Sequence, residues 1–214
     1  MNTTNQVRHI SHEIRNNLSI CELYTEIIRL NLEKEGIQNS SIDNAIKCIQ
    51  KSLKIMANNL IDLKSTGNVV LANYDLRTIL EDSIKLSRVY AQDKKIKFIQ
   101  HINESAVATL DNNKFTGCIV NIIKNAVEAI KDQGIIKINL IINPEKAIIQ
   151  ICNNGEMIPL EKQGKLFEEG YTTKSTGSGL GLFICRENLR LQNCNLKFVK
   201  STPEETVFEV EIPL

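Results

Sequence analysis

The apolar residues between positions 42 and 63 constrain the fold of this chain more than any other feature. They are separated by alternating steps of four and three residues, as Ile42, Ile46, Ile49, Leu53, Met56, Leu60 and Leu63. This heptad pattern is typical of a helix that packs along one seam against other helices. A rougher seam lies upstream, at Val7, Ile10, Ile14, Cys21 and Ile28. Turn residues from Gly36 to Ser41 separate the seams, so residues 1–68 are predicted to form a two-helix hairpin.

The hairpin carries more apolar surface than it can cover by itself. Two helices leave one side of each seam in contact with water, whereas four helices bury the seams in a common core. We therefore predict that two copies of the chain form a four-helix bundle, which makes the protein a homodimer.

Charge, hydropathy and cysteine spacing exclude several classes of protein. The 214 residues include 26 Lys and Arg against 25 Asp and Glu, so the chain lacks the basic character of a nucleic-acid-binding protein. No apolar run reaches the roughly 20 residues of a membrane span, and no signal peptide opens the sequence. The six cysteines form no CxxC pair, which favours reduced thiols. These features predict a cytoplasmic protein with no nucleic-acid partner and no membrane span.

From about Tyr74 onward the sequence alternates between helical and strand patterns. Helices are predicted over Leu76–Ala91, Asn112–Lys131 and Gly179–Leu191, and strands over Ile96–Ile102, Ile135–Ile142, Ala147–Cys152, Leu196–Val199 and Thr206–Ile212. Gly134 is predicted to close the second helix, and Asn143-Pro144 to form a hairpin turn. Helices on one face of a mixed sheet would make residues 74–214 a second domain. The predicted fold class is therefore α+β.

A long loop and a glycine-rich turn precede the last predicted helix. The segment from Gly155 to Gly177 has only a short helical pattern, around Leu160 to Phe167, and loops of this length are usually functional lids. The turn that follows reads Gly177-Ser178-Gly179-Leu180-Gly181-Leu182. Backbone amides at such a helix start can surround phosphate groups, although a GxGxG turn alone is more often a simple tight turn.

The first helix carries a candidate nucleophile in the stretch Ser11-His12-Glu13-Ile14-Arg15-Asn16. His12 falls outside the seam, and Asn16 lies one helical turn later on the same outward face. A lone histidine on a helix is usually a solvated polar residue, and we interpret His9 and His101 in this way. For His12, the adjacent carboxylate and the downstream glycine turn favour phosphoryl chemistry. Glu13 would orient the imidazole or act as its general base.

Taken together, these motifs resemble the catalytic core of bacterial two-component histidine kinases over almost the whole chain. By this resemblance, the family's asparagine box corresponds to Asn121-Ile122-Ile123-Lys124-Asn125-Ala126, and its first glycine box to Cys152-Asn153-Asn154-Gly155. The lid phenylalanine corresponds to Leu166-Phe167, and the second glycine box to the run from Thr172 to Gly181. The resemblance implies a dimerisation and histidine-phosphotransfer hairpin followed by an α/β sandwich ATPase domain shared with gyrase. It also implies a response regulator as partner.

The resemblance implies that the second domain binds ATP or ADP with Mg²⁺. The implied nucleotide contacts are Asn121, Lys124, Asn125, Asn153, Gly155, Phe167, Thr173, Lys174, Gly177, Gly179, Leu180 and Gly181. Asn125 would hold Mg²⁺ through its amide oxygen, since a hard cation prefers oxygen ligands. Lys174 would act as a point charge near the phosphates.

The chain departs from the family pattern at four places. Asn153 stands where the family has an aspartate that accepts a hydrogen bond from the adenine amine, and Met157 replaces a glycine. A charged acceptor contributes about 1.5–3 kcal/mol against about 0.5–1.5 for a neutral one, so adenine binding is predicted to weaken about tenfold. Asn17 replaces a proline that kinks many related helices. Only eleven residues precede His12, so we expect the input to come from a partner or a ligand.

These departures favour a phosphatase that acts on a phosphorylated response regulator. The amide of Asn16 can hold a water in line with an aspartyl phosphate, a reaction that uses no γ-phosphate of ATP. The first alternative is a bifunctional autokinase with His12 as phospho-acceptor. An ATP-independent histidine phosphotransferase and a non-enzymatic binding module are further alternatives. An anti-sigma-type serine kinase shares the ATPase fold but would have no use for the hairpin.

Overall fold

The computed structural model describes residues 20–21, 24–25, 27–37, 39–43, 45–46, 49–50, 53, 69–172 and 179–214. The chain divides into two compact units, Met1–Gly67 and Asn68–Leu214. The catalytic triplet predicted on the first helix, His12, Glu13 and Asn16, lies outside the described residues.

In the first unit the described residues are helical on both sides of a turn at the predicted position, and the two longest described stretches are residues 27–34 and 40–43. Gly36 has a φ of +66°, the left-handed conformation in which glycine commonly ends a helix. Asn39 begins the next helix, because its Oδ1 accepts a hydrogen bond from the backbone N–H of Ser41 at 3.0 Å. The packing of the two stretches as a hairpin, and the four-helix bundle, stay predictions.

The second unit contains a five-stranded sheet and a separate two-stranded one. The strands are β1 (Ala72–Asp75), β2 (Lys95–His101), β3 (Val107–Leu110), β4 (Gln133–Ile142), β5 (Lys146–Asn153), β6 (Asn195–Ser201) and β7 (Thr206–Pro213). The large sheet has the order β2-β4-β5-β7-β6, and β1 pairs with β3. Only the β2–β4 pair is parallel among these described strands. The sheet is therefore mixed, as predicted.

The helices of this unit are α1 (Leu76–Ser87), α2 (Asn112–Ala129), α3 (Leu160–Gln163) and α4 (Gly181–Arg190), with a 3-10 turn at Arg88–Ala91. Helix α2 is central, since it contacts α1, α4 and strand β5. The fully buried side chains of α2 include Phe115, Ile119, Ile122 and Ile123. They face fully buried side chains of the sheet, which include Ile136, Ile138 and Ile149. Burial of each such side chain contributes about 1.5–3 kcal/mol. This core fixes α2, which carries the predicted asparagine box.

Most predicted elements are present, and the differences are local. Gly134 lies inside β4 and does not close α2, which ends at Ala129. The prediction was wrong because Gly134 instead allows another residue to pack closely against the backbone of β4: a Cβ at this position would lie 2.7 Å from Oδ1 of Asn154. The predicted turn at Asn143-Pro144 is confirmed, since β4 and β5 pair antiparallel around it. Strands β1 and β3 were not predicted, because they have four residues each and are partly exposed.

The described cysteines are free thiols, one of them exposed and four buried. Burial raises the pKa of the Cys194 thiol to about 12, so this group stays protonated and unreactive at neutral pH. Among the described residues, no helix combines the length and the apolar character that a membrane span requires.

Three charged side chains form a clamp across the adjacent strands β5, β7 and β6 of the large sheet. Glu211 of β7 accepts from Lys146 of β5 and pairs with Lys197 of β6, each at 2.5 Å. The two lysines lower the pKa of Glu211 from its usual 4.5 to about 2. Because the folded pKa lies below the unfolded one, this clamp stabilises the fold above pH 4.5 and is lost as the pH falls towards 2.

We expect Glu211→Gln to lower the free energy of unfolding by about 1 kcal/mol at neutral pH, since the partly exposed lysines are screened by solvent. Urea unfolding at several pH values measures this difference, which should shrink as the pH falls from 4.5 to about 2. Glu145→Gln, in the exposed β4–β5 turn, is the control and should have little effect. A difference that does not change with pH would contradict the role of the clamp.

Candidate functional site

The predicted nucleotide contacts fall partly within the described residues. Those described are Asn121, Lys124, Asn125, Asn153, Gly155, Phe167, Gly179, Leu180 and Gly181. Those outside the described residues are Thr173, Lys174 and Gly177. The site is therefore built from the asparagine box, the first glycine box and the two ends of the second.

The asparagine box contacts the helix that follows the glycine turn. Nδ2 of Asn121 donates to Sγ of Cys185 in α4 at 3.3 Å. A Cβ at Gly181, the first residue of α4, would lie 2.6 Å from the same nitrogen. Asn121 thus helps to place the start of α4 beside α2, and Gly181 leaves room for its amide. The sequence assigned Asn121 to the phosphates but gave no indication of this positioning contact.

One turn further along α2, Asn125 and Lys124 lie half-buried. The ammonium of Lys124 lies 5.5 Å from the ring centre of Tyr90 and 4.0 Å from a carboxylate oxygen of Glu128. Among the described residues, no group of three His, Cys, Asp or Glu side chains could hold a metal. An amide oxygen such as that of Asn125 is a ligand type that Mg²⁺ accepts, so the residue type is compatible with the prediction that Asn125 would hold the ion.

The first glycine box lies at the end of β5, against the end of α2. A Cβ at Gly155 would be 2.5 Å from the carbonyl oxygen of Ala129. The next residue, Glu156, donates its backbone N–H to the same oxygen at 2.8 Å. Only glycine allows this approach, which brings the end of β5 next to the helix that carries the asparagine box.

Asn153 and Asn154, consecutive in the chain, are held differently. Asn153 is 4% exposed, and its Oδ1 accepts from the backbone N–H of Gly155 at 3.0 Å. Asn154 is exposed, and its Oδ1 accepts from the N–H of Ile135 in β4 at 2.7 Å. Asn153 is therefore the member of the pair that lies on the buried side of the glycine box.

Thr206 is a residue of this region that the sequence did not single out. It is 2% exposed and is the cross-strand partner of Asn153 in the β5–β7 register. Its Oγ1 lies 2.6 Å from Oγ of Ser201, which accepts from the backbone N–H of Ile158 at 2.9 Å. A threonine that opens an alternating strand is usually a packing residue, so the sequence pattern alone could not have distinguished it.

Gly170, within the predicted lid, lies against Gly179, two residues beyond the lid's predicted end. Gly179 has a φ of +70°, and a Cβ there would lie 2.3 Å from backbone atoms of Gly170. Nearby, the guanidinium of Arg186 in α4 lies 5.3 Å from the ring centre of Phe167. The lid phenylalanine is thereby held by a cation–π contact to the helix that follows the glycine turn.

Comparison with known proteins agrees with this arrangement. Residues 110–214 match the sequence model of the histidine kinase-, DNA gyrase B- and HSP90-like ATPases. Sporulation kinase C of Bacillus subtilis is 27% identical over 96% of this chain, and the histidine-protein kinase AtoS of Escherichia coli is 24% identical over 96%. Residues 110–214 therefore belong to this ATPase family, and over nearly its whole length the chain is similar to two-component histidine kinases. The predicted resemblance is confirmed.

This chain covers 47% of sporulation kinase C and 34% of AtoS, so it spans half or less of those relatives. Among solved structures, the catalytic domain of histidine kinase ThkA is 27% identical, with a TM-score of 0.61 over 67% of this chain and 95% of that one. Full-length ShkA in complex with AMPPNP is 16% identical, with a TM-score of 0.72 over 99% of this chain and 46% of that one, and it shows similarity of fold. The second unit is an ATPase domain of the histidine kinase type.

Proposed function

We propose that this member of the histidine kinase family controls the phosphorylation of a response regulator, and that removal of phosphate from the regulator is its dominant activity. The observation that carries this proposal is the hydrogen bond from Gly155 N–H to Oδ1 of Asn153. An amide oxygen that already accepts from Gly155 is a weaker acceptor for the adenine amine than the carboxylate that the family carries at this position, since it is neutral and has one lone pair left. ATP binding, and with it autophosphorylation, is therefore weakened.

The part of the site formed by the glycine turn and α2, which would contact the phosphates and is called the phosphate side below, supports the proposal that the domain still binds a nucleotide. The close approach of Gly181 to Asn121 keeps the end of the glycine turn against α2. Asn125 would hold Mg²⁺ between this turn and the helix, and Lys174 would add positive charge. We propose that ATP or ADP binds here with Mg²⁺, with reduced affinity at the base end.

The dephosphorylation step is assigned to the outward face of the first helix. The amide oxygen of Asn16 accepts a hydrogen bond from a water and directs its oxygen at the phosphorus of the aspartyl phosphate. The new P–O bond forms as the bond to the aspartate carboxylate breaks. The water's protons pass to the released phosphate and the solvent. His12 and Glu13 would line the same surface and position the regulator.

Two further observations support the proposed partners. ThkA, which is 23% identical over 98% of this chain and 61% of that one with a TM-score of 0.64, was solved in complex with the response regulator TrrA. Within the first unit, the apolar seam residues Ile28, Ile42 and Ile49 are between 37% and 48% exposed, a surface that a second copy would cover. We propose a homodimer, and a cytoplasmic location in which the free thiols stay reduced.

The phosphatase assignment predicts that removing the side-chain amide of Asn16 greatly slows loss of phosphate from the regulator. Receiver domains from the source organism are phosphorylated with a small phosphodonor, separated from it and incubated with the protein. The wild type should accelerate loss of phosphate from its cognate receiver, and Asn16→Ala should reduce that rate by at least about tenfold, since the water loses its orienting group. Asn17→Ala, one residue away and on another helix face, is the matched control. An unchanged rate in Asn16→Ala would remove this residue from the mechanism.

The intact phosphate side favours one alternative, a bifunctional autokinase in which His12 takes the γ-phosphoryl group from ATP. Glu13 would then accept the imidazole proton as His12 attacks, and ADP would leave. Incubation with labelled ATP and Mg²⁺ separates the two functions. The phosphatase assignment predicts little phospho-His12, whereas strong labelling that His12→Gln abolishes would establish the autokinase.

A further inference from the structure

The buried amide of Asn153 has a defined orientation. An asparagine side chain offers an acceptor oxygen at one end and a donor NH₂ at the other, and the hydrogen-bond network decides which way they point. The backbone N–H of Gly155 lies 3.0 Å from Oδ1 and can only donate. The oxygen must therefore face Gly155, which leaves the NH₂ group as the other end of the side chain.

This NH₂ group belongs to a side chain that is 96% buried at the end of β5, next to Thr206 of β7. A buried donor requires an acceptor, because removing it from water without one costs free energy. A ligand that reaches Asn153 is therefore expected to bind best when it presents a hydrogen-bond acceptor to this NH₂ group. An aspartate would behave differently, since one of its oxygens can accept from Gly155 while the other accepts from the ligand.

Purine bases differ in the group they present at position 6. Adenine carries an amino group, which is a donor, and guanine and hypoxanthine carry a carbonyl oxygen, which is an acceptor. We infer that Asn153 makes this site selective for a 6-oxopurine nucleotide over an adenine nucleotide. The inference rests on the proposed function in one respect, namely that the base of the nucleotide lies at Asn153.

The expected discrimination follows from the cost of the wrong pairing. A 6-oxopurine accepts a hydrogen bond from the NH₂ group at position 6, whereas adenine places its own amino group there, so that two donors meet. An unmatched buried donor costs enough to change affinity by about tenfold to a hundredfold. Met157, 43% exposed in the same segment, carries no donor or acceptor that would reverse this preference.

The experiment compares ITP with ATP on the full chain, by calorimetric titration in the presence of Mg²⁺. These two nucleotides differ only at position 6 and in the proton on the adjacent ring nitrogen. We expect ITP to bind the wild type at least about tenfold more tightly than ATP. GTP, titrated alongside, shows whether the 2-amino group of guanine is also accepted.

Two variants make the test specific for this amide. Asn153→Asp should reverse the order, so that ATP binds more tightly than ITP, because a carboxylate accepts from the adenine amine. Asn154→Asp introduces the same charge one residue away, where its oxygen can still accept from Ile135, and should keep the preference of the wild type. If Asn153→Asp does not fold, the ratio measured for the wild type still decides.

The outcomes separate this inference from the function on which it rests. Equal affinities, or tighter binding of ATP to the wild type, would overturn the 6-oxopurine assignment and leave nucleotide binding intact. Failure of ATP, ITP and GTP to bind at all would overturn both. Preference for ITP in the wild type, reversed only in Asn153→Asp, would establish Asn153 as the residue that selects the base.

Discussion

Gly155→Ala is expected to remove most nucleotide binding and to destabilise the second unit. The added Cβ would lie 2.5 Å from the carbonyl oxygen and 2.6 Å from the carbonyl carbon of Ala129, and neither atom belongs to a side chain that can rotate away. The turn must therefore separate from the end of α2, which also breaks the hydrogen bond from Glu156 to Ala129. We expect nucleotide affinity to fall by at least about tenfold and the free energy of unfolding by about 2–3 kcal/mol.

Calorimetric titration with ATP and ITP measures the first effect, and urea unfolding measures the second. Gly117→Ala is the matched control, because nothing lies within 4 Å of its Cβ position in the interior of α2. That change should stabilise the protein by about 0.5–1 kcal/mol, as alanine does in place of helical glycine. Wild-type affinity in Gly155→Ala would show that the contact with Ala129 does not position the site.

Asp111→Ala is expected to lower the free energy of unfolding by about 2–3 kcal/mol, because it removes a helix cap and leaves two partly buried donors without partners. Oδ1 of Asp111 accepts from the N–H of Lys114 in the first turn of α2, and Oδ2 accepts from the N–H of Val70, both at 3.0 Å. The residue is 7% exposed, so water cannot easily replace the carboxylate. Helix α2 carries the asparagine box, so nucleotide binding should weaken in parallel.

Thermal and urea unfolding measure this loss, and the cap of α1 provides the comparison. Asp75 makes the same contact, with its Oδ1 accepting from the N–H of Thr78 at 2.8 Å, but at a more exposed position. Asp75→Ala should therefore cost only about 1 kcal/mol. Equal losses in the two variants would mean that burial of the Asp111 cap adds nothing.

The periodicity of the sequence was sufficient to locate the main elements of the second unit. Five of its strands were predicted from alternating or β-branched runs, and α2 was predicted from its apolar face. Burial on one face is a property of each segment by itself, so it leaves a pattern in the local sequence. The pairing of β1 with β3 left no such pattern, since both strands are short and partly exposed.

Only part of the candidate site could be predicted, because some of its residues stand in a local sequence pattern and others depend on residues that are distant in the chain. The glycine turn is visible in the sequence, and the two asparagines of α2 were implied by the family resemblance. The turn sequence Asn153-Asn154-Gly155 also favours a local side-chain hydrogen bond. Gly134 was misplaced because its role depends on Asn154, twenty residues away in the chain. A glycine selected for close approach cannot be distinguished, in sequence, from one selected for a turn.

The sequence by itself determined the family resemblance, the strands of the large sheet and the main helices, and the residue types available for phosphate and metal binding. Only the tertiary structure decided which partner each amide and glycine meets: Asn121 with Cys185 across two helices, Gly155 with the end of α2, and Asn153 with Thr206 across two strands. The physical reason is that an amide both donates and accepts, and a glycine accommodates many neighbours. Their roles are therefore set by groups that folding brings together from distant parts of the chain.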